Sequence, residues 1–556
     1  MPVLTAIDVL GIQSYVFASN RLRDVVGASY LVEWASSRDR GLRLDNHHDV
    51  PPPEIIVAAG GNAILRFNTT DAAKQFALRY SRGLLERAPG LDVAIAHQPY
   101  DDGKLAHGLL ALQVQLAKAK LNRYPQVPQL GLSVMQPCDV TGLPARQCDR
   151  SNEWVSSRIA QIRNPEVLQD AKNRWDEFLP THFHGHTVRF PDELDQMGRS
   201  RGDTSLVGVV HVDGNGIGRR IQKWLATKLE SASVTDEALI NEYRKWSISL
   251  EKLGKAVFRT VTNRLISRIK AKDEGFCVHG QPSPPRKLDF ELQTIDSSKT
   301  ILLPLRPILL GGDDLTFVCD GRLALDLAAT ALRAFVKESA SIPGLEVLGV
   351  DPVTACAGVA LVRAHAPFRR SYQLSEDLCK CAKLAKDDTE SVNPSLNTGC
   401  WIDWHIGAIR PDESVADIRA RQYQGERLTC RPYPLDGDSS QRLTWEWLDG
   451  DLLGEPAKNG RNRLSFRNAD VWGERRNKVK TLASLVGDDG DAVQKQLEAW
   501  KSVTADLGLP SPIDVNGFKG NRTPLLDAVE LLDIHLRLET PESCPRLEPE
   551  TDEVKA

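Results

Sequence analysis

The sequence predicts an α+β protein that contains two related β-α-β-β-α-β units. One observation is the stretch at residues 308–317, Ile-Leu-Leu-Gly-Gly-Asp-Asp-Leu-Thr-Phe, in which two glycines and two acids interrupt an apolar run. Glycine permits a sharp turn, so the apolar residues on either side indicate two buried strands of a β-hairpin. The other observation is that the elements around this hairpin recur, in the same order, near the start of the chain.

The predicted hairpin tip carries two adjacent acids, and an earlier strand ends in a third. Residues 207–212 are mostly valine and predict a buried strand, which leads directly into Asp213. We expect Asp213 to meet Asp313 and Asp314, because neighbouring strands of such a unit bring these positions together. Carboxylate oxygens are ligands that Mg²⁺ prefers. The three acids therefore predict a metal site, with a plain Gly-Gly-Asp turn as the alternative interpretation.

The first unit begins with the same signature as the second. Residues 8–12 and 213–217 both place an aspartate, two further residues, a glycine and an isoleucine after a strand. The next hairpin has Asn62 and Ala63 where the second copy has its two acids. An amphipathic helix, a strand and a helix that ends in an Ala-Lys pattern follow in both copies. We therefore expect the first copy to act as a scaffold or a second nucleotide-binding face, and the second copy to carry the catalysis.

The composition is that of a globular protein without a dominant nucleic-acid or membrane signal. Charged residues make up 26% and hydrophobic residues 41% of the 556 positions, and the formal net charge is −4. Without a basic excess, any contact with nucleic acid is expected to be local or shared with partner subunits. No apolar run reaches the roughly 18 residues that span a bilayer, and no signal peptide is recognised, so we expect a cytoplasmic protein.

Four segments of the chain resemble a known family. They are Gly-Ile-Gln-Ser-Tyr-Val-Phe at 11–17, Leu-Pro-Leu-Arg-Pro-Ile-Leu-Leu-Gly-Gly-Asp-Asp at 303–314, Ala-Lys at 382–383 and Arg-Pro-Tyr at 431–433. Together they look like the large subunit of type III CRISPR effector complexes, the CRISPR polymerase. The resemblance implies two ferredoxin-like palm (cyclase) domains, a linker and a helical C-terminal domain. The implied bounds are 1–130 for a catalytically degenerate first palm, 131–200 for a linker with a reduced zinc-ribbon-like segment, 201–405 for the second palm and 406–556 for the C-terminal domain.

In this family the second palm condenses ATP into cyclic oligoadenylates, which act as second messengers in antiviral defence. The resemblance implies that Asp213, Asp313 and Asp314 are the catalytic residues and hold two Mg²⁺ or Mn²⁺ ions. One ion would activate the attacking 3′-hydroxyl, and the other would neutralise charge on the triphosphate. The expected partners are ATP and other effector subunits with guide RNA and target RNA. The residues expected to bind the nucleotide are Gly214, Asn215, Gly216, Gly311, Gly312, Lys383 and Lys386.

Two other functions stay open at this point. One is a non-catalytic scaffold of an RNA-guided complex that binds nucleotide without turnover, and the intact acids argue against it. The other is a palm-type cyclase that makes a different cyclic nucleotide. The sequence does not specify the base preference, the ring size of the product, the activating signal or the oligomeric state.

Two features of the chain depart from the family pattern. Many members begin with an HD nuclease domain, whereas this chain opens on the first palm and has only the dipeptide His48-Asp49 in a predicted loop, so we do not expect DNA cleavage. Cys138 and Cys148 stand where a zinc ribbon has four cysteines. Two thiols alone do not close a tetrahedral zinc site, so structural zinc is doubtful.

Three histidines in the expected linker, His182, His184 and His186, are spaced so that a strand would present them on one face. Because no acid or cysteine nearby completes a site, we favour a polar edge strand or loop over a zinc site. The second unit is also longer than the first, and we assign the extra length to an irregular insertion around residues 270–299.

Overall fold

The computed structural model is a mixed α+β protein, as the sequence predicts. Its two larger β-sheets have four and six strands and lie in the first and second parts of the chain. Within the part of the chain that the structure describes, no helix is long and apolar enough to cross a membrane. The described residues are 1–43, 52–122, 131–197, 206–230, 235–272, 275–281, 288, 290–295, 299–345, 352–392, 399–407, 410, 412–456, 462–473, 476–487, 490–503 and 506–538.

The first part of the chain forms a four-stranded antiparallel sheet with helices. Its elements are β1 (Val3–Leu10), α1 (Ile12–Val16), α2 (Leu22–Ser36), β2 (Glu54–Ala59), β3 (Asn62–Phe67), α3 (Thr70–Arg87), β4 (Asp92–Pro99) and α4 (Leu105–Asn122). The strand order is β2-β3-β1-β4, with every neighbouring pair antiparallel. Alternate residues of β1 pack into different cores: Val3 and Ile7 join one cluster, whereas Leu4 and Ala6 join the other. Both faces of the central strand are therefore covered.

A region of short elements follows the first sheet. Its elements are β5 (Gln147–Cys148), β6 (Trp154–Val155), α5 (Ser157–Ile162), α6 (Pro165–Asn173) and β7 (Thr187–Arg189). Arg163 donates two hydrogen bonds to Asp24 of α2, at 2.9 and 2.8 Å. The same guanidinium donates to Asp149 at 2.6 Å and to Glu153 at 2.8 Å. Burial lowers the pKa of Arg163, but the carboxylates outweigh it and raise the pKa. The hydrogen bonds of buried Arg163 to Asp24 therefore link this region to the first part of the chain.

The second part of the chain is built on a six-stranded sheet. Its elements are β8 (Leu206–Gly214), α7 (Ile217–Glu230), α8 (Asp236–Ile266), β9 (Ile269–Lys272), β10 (Gly275–Val278), β11 (Phe290–Glu291), β12 (Thr294–Ile295), β13 (Thr300–Leu302), β14 (Leu305–Leu310), β15 (Asp314–Asp320), α9 (Ala324–Ser339), β16 (Ala355–Arg363), α10 (Phe368–Val392), β17 (Trp401–Ile406) and β18 (Tyr433–Pro434). The strand order is β14-β15-β8-β16-β17-β18. The first four strands, β14-β15-β8-β16, correspond in order to β2-β3-β1-β4 of the first sheet. Strand β17 then pairs with β16 in parallel.

Helix α8 passes directly against the turn between β14 and β15. It is 31 residues long. A Cβ added at Gly254 would lie 2.3 Å from the backbone oxygen of Gly311, and one added at Gly312 would lie 2.8 Å from the Cβ of Leu250. The extra length of the second unit comes from the longer helices α7 and α8 as well as from the expected insertion at 270–299. The described residues of that segment contribute short strands, β9 to β12.

The C-terminal part of the chain combines short helices with irregular segments. Its helices are α11 (Val415–Gln422), α12 (Trp445–Trp447), α13 (Arg476–Leu485), α14 (Gly490–Lys501) and α15 (Leu525–Leu532). Strand β18 pairs with β17 across the expected domain boundary at 405–406. Buried Arg431 donates to the backbone oxygen of Trp404 at 3.0 Å and lies 3.0 Å from Asp527, which also accepts from the Tyr433 hydroxyl at 2.8 Å. The Arg-Pro-Tyr segment thus joins the C-terminal helices to the sheet.

The contact between α8 and the hairpin turn predicts a position-specific effect of an added methyl group. Gly254→Ala should destabilise the protein by about 1–3 kcal/mol, because the new Cβ overlaps the Gly311 carbonyl and helix and turn must separate. Gly218→Ala on α7 is the matched control, since a Cβ there meets no atom within 4 Å. Thermal denaturation should give a lower Tm for the first variant only. Equal melting of the two variants would contradict the contact.

Candidate active site

The pairing of β8 with β15 brings the three predicted acids together. Asp213 lies directly opposite Asp314 in this antiparallel pair. Directly opposed residues have Cβ atoms about 4.5–5.5 Å apart and point to the same face of a sheet. Asp313 precedes Asp314 in the turn, and its backbone oxygen accepts a hydrogen bond from the amide of Gly214 at 3.0 Å. The convergence expected from the sequence is therefore present in the structure.

Lys383 of α10 is the counter-charge of Asp213. Its Nζ lies 2.6 Å from Asp213 Oδ2 and donates to the backbone oxygen of Gly214 at 3.1 Å. Burial lowers the pKa of Lys383, but the Asp213 carboxylate outweighs it and raises the pKa, so the ammonium form is held. Lys386 instead pairs with Glu390 at 2.7 Å. The two lysines predicted to bind nucleotide thus differ, because only Lys383 touches the acids.

The other two acids lack comparable neutralisation. Burial, followed by the charges of Asp213 and Asp314, raises the pKa of Asp313 to about 6. Burial also raises the pKa of Asp314, and the facing His211 partly offsets this. His211 Nδ1 lies 3.4 Å from Asp314 Oδ1 and 3.2 Å from the Thr316 hydroxyl. Asp314 Oδ1 is closed to solvent and has no hydrogen-bond partner among the described residues. The acids therefore have unused capacity for a positive charge.

The donor set suits a hard cation, although the side chains are not arranged around one. Among the described residues, no group of three or more histidine, cysteine, aspartate or glutamate side chains has the geometry of a metal site. Three carboxylates on one edge of a sheet are nevertheless the oxygen donors that Mg²⁺ takes, and Asp314 Oδ1 is free to coordinate. Because the Lys383 ammonium sits at Asp213, a cation binding there has to displace it.

A basic pocket of about 850 Å³ lies beside Asp213, on the α10 side. Four of the residues expected to bind nucleotide line it, and the other three, Gly214, Gly311 and Gly312, lie at the acids. Arg220, Lys223 and Arg333 also line it, and no carboxylate partner is found for them among the described residues. The sequence analysis missed these three cations. Two of them, Arg220 and Lys223, lie four and seven positions after Gly216, so the sequence Gly-Ile-Gly-Arg-Arg-Ile-Gln-Lys held a signal. The four expected residues at the pocket are Asn215, Gly216, Lys383 and Lys386.

The first unit reproduces part of this arrangement. Asp8 lies opposite Asn62, as Asp213 lies opposite Asp314, and Lys120 of α4 forms an ion pair with Asp8. The expectation that Asn62 and Ala63 replace the two acids is corrected by this register. Asn62 takes the place of Asp314, whereas the turn before it is one residue shorter and has no counterpart of the other acid.

The cysteines of the connecting region differ in exposure, and its histidines lie at a tight turn. Cys138 is buried and Cys148 is exposed. The three histidines do not share one strand face, because Phe183 and His186 pair across a tight turn in which His184 has a φ of 50°. This agrees with the loop favoured over zinc. The dipeptide at residues 48–49 lies outside the described residues.

No family model matches the chain, and no curated protein matches it in sequence. The solved structures similar to it are subunits of CRISPR complexes, one of them titled as a subcomplex of the type III-A CRISPR-Csm interference complex. The subunit that they share is Csm1, in agreement with the family that the sequence resembles.

Three of these structures are the Csm1-Csm4 cassette in complex with one ATP, the same cassette in complex with cA4, and Csm1 in T. onnurineus. Their TM-scores are 0.46, 0.42 and 0.43, and their identities are 13%, 14% and 15%. Each alignment covers 96% of this chain, and 70%, 69% and 70% of the respective neighbour.

The raised pKa of Asp313 predicts how stability depends on pH without metal. Between about pH 4 and 6 the folded protein holds a proton on Asp313 that the unfolded chain has lost, so stability falls as pH rises through this window. In EDTA at pH 8, Asp313→Asn should therefore raise the free energy of unfolding by about 1–3 kcal/mol. The gain should disappear near pH 4.

Melting curves of the wild type and the variant, recorded from pH 4 to 8, measure this difference. Asp8→Asn is the matched control, because Asp8 is ion-paired with Lys120 and its removal should give no gain at any pH. An Asp313→Asn variant that is no more stable than the wild type at pH 8 would show that the ionised Asp313 carboxylate does not destabilise the folded protein.

Proposed function

We propose that the protein is a Mg²⁺-dependent nucleotidyltransferase of the CRISPR polymerase type, which converts ATP into cyclic oligoadenylates. The observation that carries the proposal is the register of β8 and β15, which sets Asp213 against Asp314 with Asp313 beside them. Asp213 is joined by its ion pair with Lys383 to a pocket lined by six lysines and arginines. A row of carboxylates next to a cationic pocket is the arrangement that metal-assisted transfer from a triphosphate requires.

We propose that both sheets with their helices are ferredoxin-like palm domains. The same strand order in both, a β-α-β-β-α-β succession with its hairpin beside the opening strand, supports this assignment. The first palm is degenerate, because Asn62 stands opposite Asp8 and cannot carry a negative charge. Its role is then scaffolding or contact with a second nucleotide, and catalysis belongs to the second palm.

Two groups of side chains would have different roles in the reaction: the three acids and the cations of the basic pocket. Asp213, Asp313 and Asp314 would hold two Mg²⁺ or Mn²⁺ ions, which when bound activate a 3′-hydroxyl and neutralise the triphosphate and leaving pyrophosphate. Lys383 would hold the Asp213 side chain in place through their ion pair, and it would be free to contact phosphate once a cation occupied that carboxylate. Arg220 and the other unpaired cations of the basic pocket bind the phosphate oxygens by charge and hydrogen bonds. No side-chain nucleophile is needed.

We further propose that the chain works in the cytoplasm within a type III CRISPR complex, with other effector subunits, guide RNA and target RNA. The structural neighbours were solved as Csm1-Csm4 cassettes, and the net charge of −4 leaves RNA binding to partner subunits. The alternative is a scaffold that binds nucleotide without turnover. Intact, poorly neutralised carboxylates favour the enzyme, since a scaffold has no use for their electrostatic cost.

Removal of the hairpin acids tests the proposed reaction. Asp313→Asn combined with Asp314→Asn should abolish Mg²⁺-dependent conversion of ATP into oligoadenylates, because two of three anionic oxygen donors are lost. Purified protein, with co-purified subunits and RNA where they are present, is incubated with each NTP and products are identified by mass spectrometry. Asp102→Asn, at an exposed loop acid, is the control and should retain activity. Undiminished product from the double variant would refute the assignment.

The contact of Lys383 with Asp213 predicts a second, smaller effect. Lys383→Ala should lower kcat/KM for ATP about 10- to 100-fold, because a charge-assisted contact at the reacting end is lost. Lys380→Ala on the same helix is the matched control, since Lys380 is exposed and pairs with Glu376 and Asp377. Steady-state kinetics of both variants measure the difference. Equal losses would indicate a general effect of charge on α10 and not a specific role of Lys383.

A further inference from the structure

His211 lies on the sheet face that carries the acids. It stands two positions before Asp213 on β8, and it is paired with Thr316, two positions after Asp314 on β15. Alternate residues of a strand point to the same face, so these four side chains share one face. The imidazole Nδ1 lies 3.4 Å from Asp314 Oδ1. His211 is therefore beside the carboxylate oxygen that has no hydrogen-bond partner among the described residues.

An aromatic ring of α10 packs against this imidazole. Tyr372 meets His211 edge-on, with ring centroids 5.7 Å apart and ring planes at 77°. Edge-to-face contact is a favourable arrangement of two aromatic rings. Tyr372 is 3% exposed and His211 is 5% exposed. Because a protein interior is close-packed, the tyrosine ring limits the positions that the imidazole can take.

Tyr372 is also packed against the first part of the chain. Phe17, directly after α1, stacks on it with ring centroids 4.2 Å apart and planes at 25°. Gln13 of α1 donates a hydrogen bond at 2.6 Å to Glu376, which lies one turn beyond Tyr372 on α10. A continuous series of packed side chains thus runs from the first unit to one of the acids. Its members are Phe17, Tyr372, His211 and Asp314.

The first unit has different residues at the corresponding positions. The two units are aligned by the lysine that pairs with the aspartate of the opening strand, Lys120 in one and Lys383 in the other. On this alignment, the places of His211, Thr316 and Tyr372 are taken by Ala6, Ile64 and Leu109. The three polar or aromatic groups thus occur in the copy that has the hairpin acids, and apolar aliphatic residues suffice for packing in the other. This difference points to a role of the three groups at Asp314.

We propose that Tyr372 is a positioning residue of the reaction, which holds the His211 ring against Asp314 and so fixes the orientation of that carboxylate. A carboxylate that is already fixed loses less freedom when a cation binds, so it binds the cation more tightly. The aromatic ring, and not the hydroxyl, performs this role. Phe17 makes the first unit part of the support. The inference rests on the proposed function, since Asp314 is assigned there as a metal ligand.

Binding of Mn²⁺ to the full chain, measured by electron paramagnetic resonance without nucleotide, tests this role apart from turnover. Tyr372→Leu supplies the residue type of the first unit and should weaken Mn²⁺ binding about 10-fold. Its kcat with ATP should fall about 10- to 100-fold while KM stays within about twofold, because the groups proposed to bind ATP are unchanged. Tyr372→Phe keeps the ring and should stay within about twofold of the wild type in both measurements.

Phe368→Leu is the matched control. Phe368 also lies on α10, stacks on Phe17 with ring centroids 5.4 Å apart and is 2% exposed. Among the described residues, no ring contact joins it to His211. This variant should lower the Tm as Tyr372→Leu does, yet keep the Mn²⁺ affinity and kcat within about twofold of the wild type. Equal loss of Mn²⁺ affinity in both variants, or none in Tyr372→Leu, overturns the inference.

Phe17→Leu tests the same support from the first unit and decides the question where Tyr372→Leu does not fold. It should weaken Mn²⁺ binding about 3-fold, since the ring of Tyr372 stays but loses its stacking partner. Unchanged affinity in that case overturns the inference. A wild type that binds Mn²⁺ but makes no oligoadenylate overturns the proposed function, and the Mn²⁺ affinities of the variants still decide the positioning role. A folded wild type that binds no Mn²⁺ overturns both.

Discussion

The register between β8 and β15 is the constraint on which the site depends. Asp213 and Asp314 face each other across this pair, an arrangement of like charges that destabilises a sheet. The register is held by the apolar residues of both strands, since Val210, Val212 and Phe317 are closed to solvent. A slip by one residue would exchange the side chains of the two buried faces of β8, and the packing on both faces opposes such a slip. Burial of the strands therefore fixes the acids together.

The first unit has the same strand pairing without the repulsion between two carboxylates. Asp8 faces a neutral Asn62 and has an ion pair with Lys120, so a single charge meets a single counter-charge. The shorter turn also leaves no position for a third acid. In the second unit, three carboxylates lie together, and among the described residues the only lysine or arginine in an ion pair with them is Lys383, which pairs with Asp213. The two units therefore differ in the length of the hairpin turn and in one side chain, since Asn62 occupies the position of Asp314.

Local patterns predicted the hairpins, the strand before Asp213 and the convergence of the acids, because each follows from apolar runs and turn residues. Features that depend on distant packing were missed. Helix α8 has a clear amphipathic pattern, yet its packing against the turn depends on contacts such as Gly254 with Gly311, 57 positions apart. The pairing of β18 with β17 and the gathering of cations from α7, α9 and α10 are also long-range. The turn of the first hairpin is one residue shorter than that of the second. The sequence comparison missed this difference because it aligned the two Gly-Gly pairs, which do not reveal the strand register.

The acids stand between two pockets of unlike character, where burial and neighbouring carboxylates raise the pKa of Asp313 and Asp314. On the α10 side, Arg220, Lys223 and Arg333 have no carboxylate partner among the described residues, whereas the pocket on the α8 side is lined mainly by uncharged side chains. Without substrate, both the acids and these cations carry incompletely balanced charge. Under the proposed function, a nucleotide with its metal would supply cations to the carboxylates and anions to the basic pocket at once. Each charge would then be neutralised by the group that the reaction needs beside it, so substrate binding would relieve the repulsion that the register imposes.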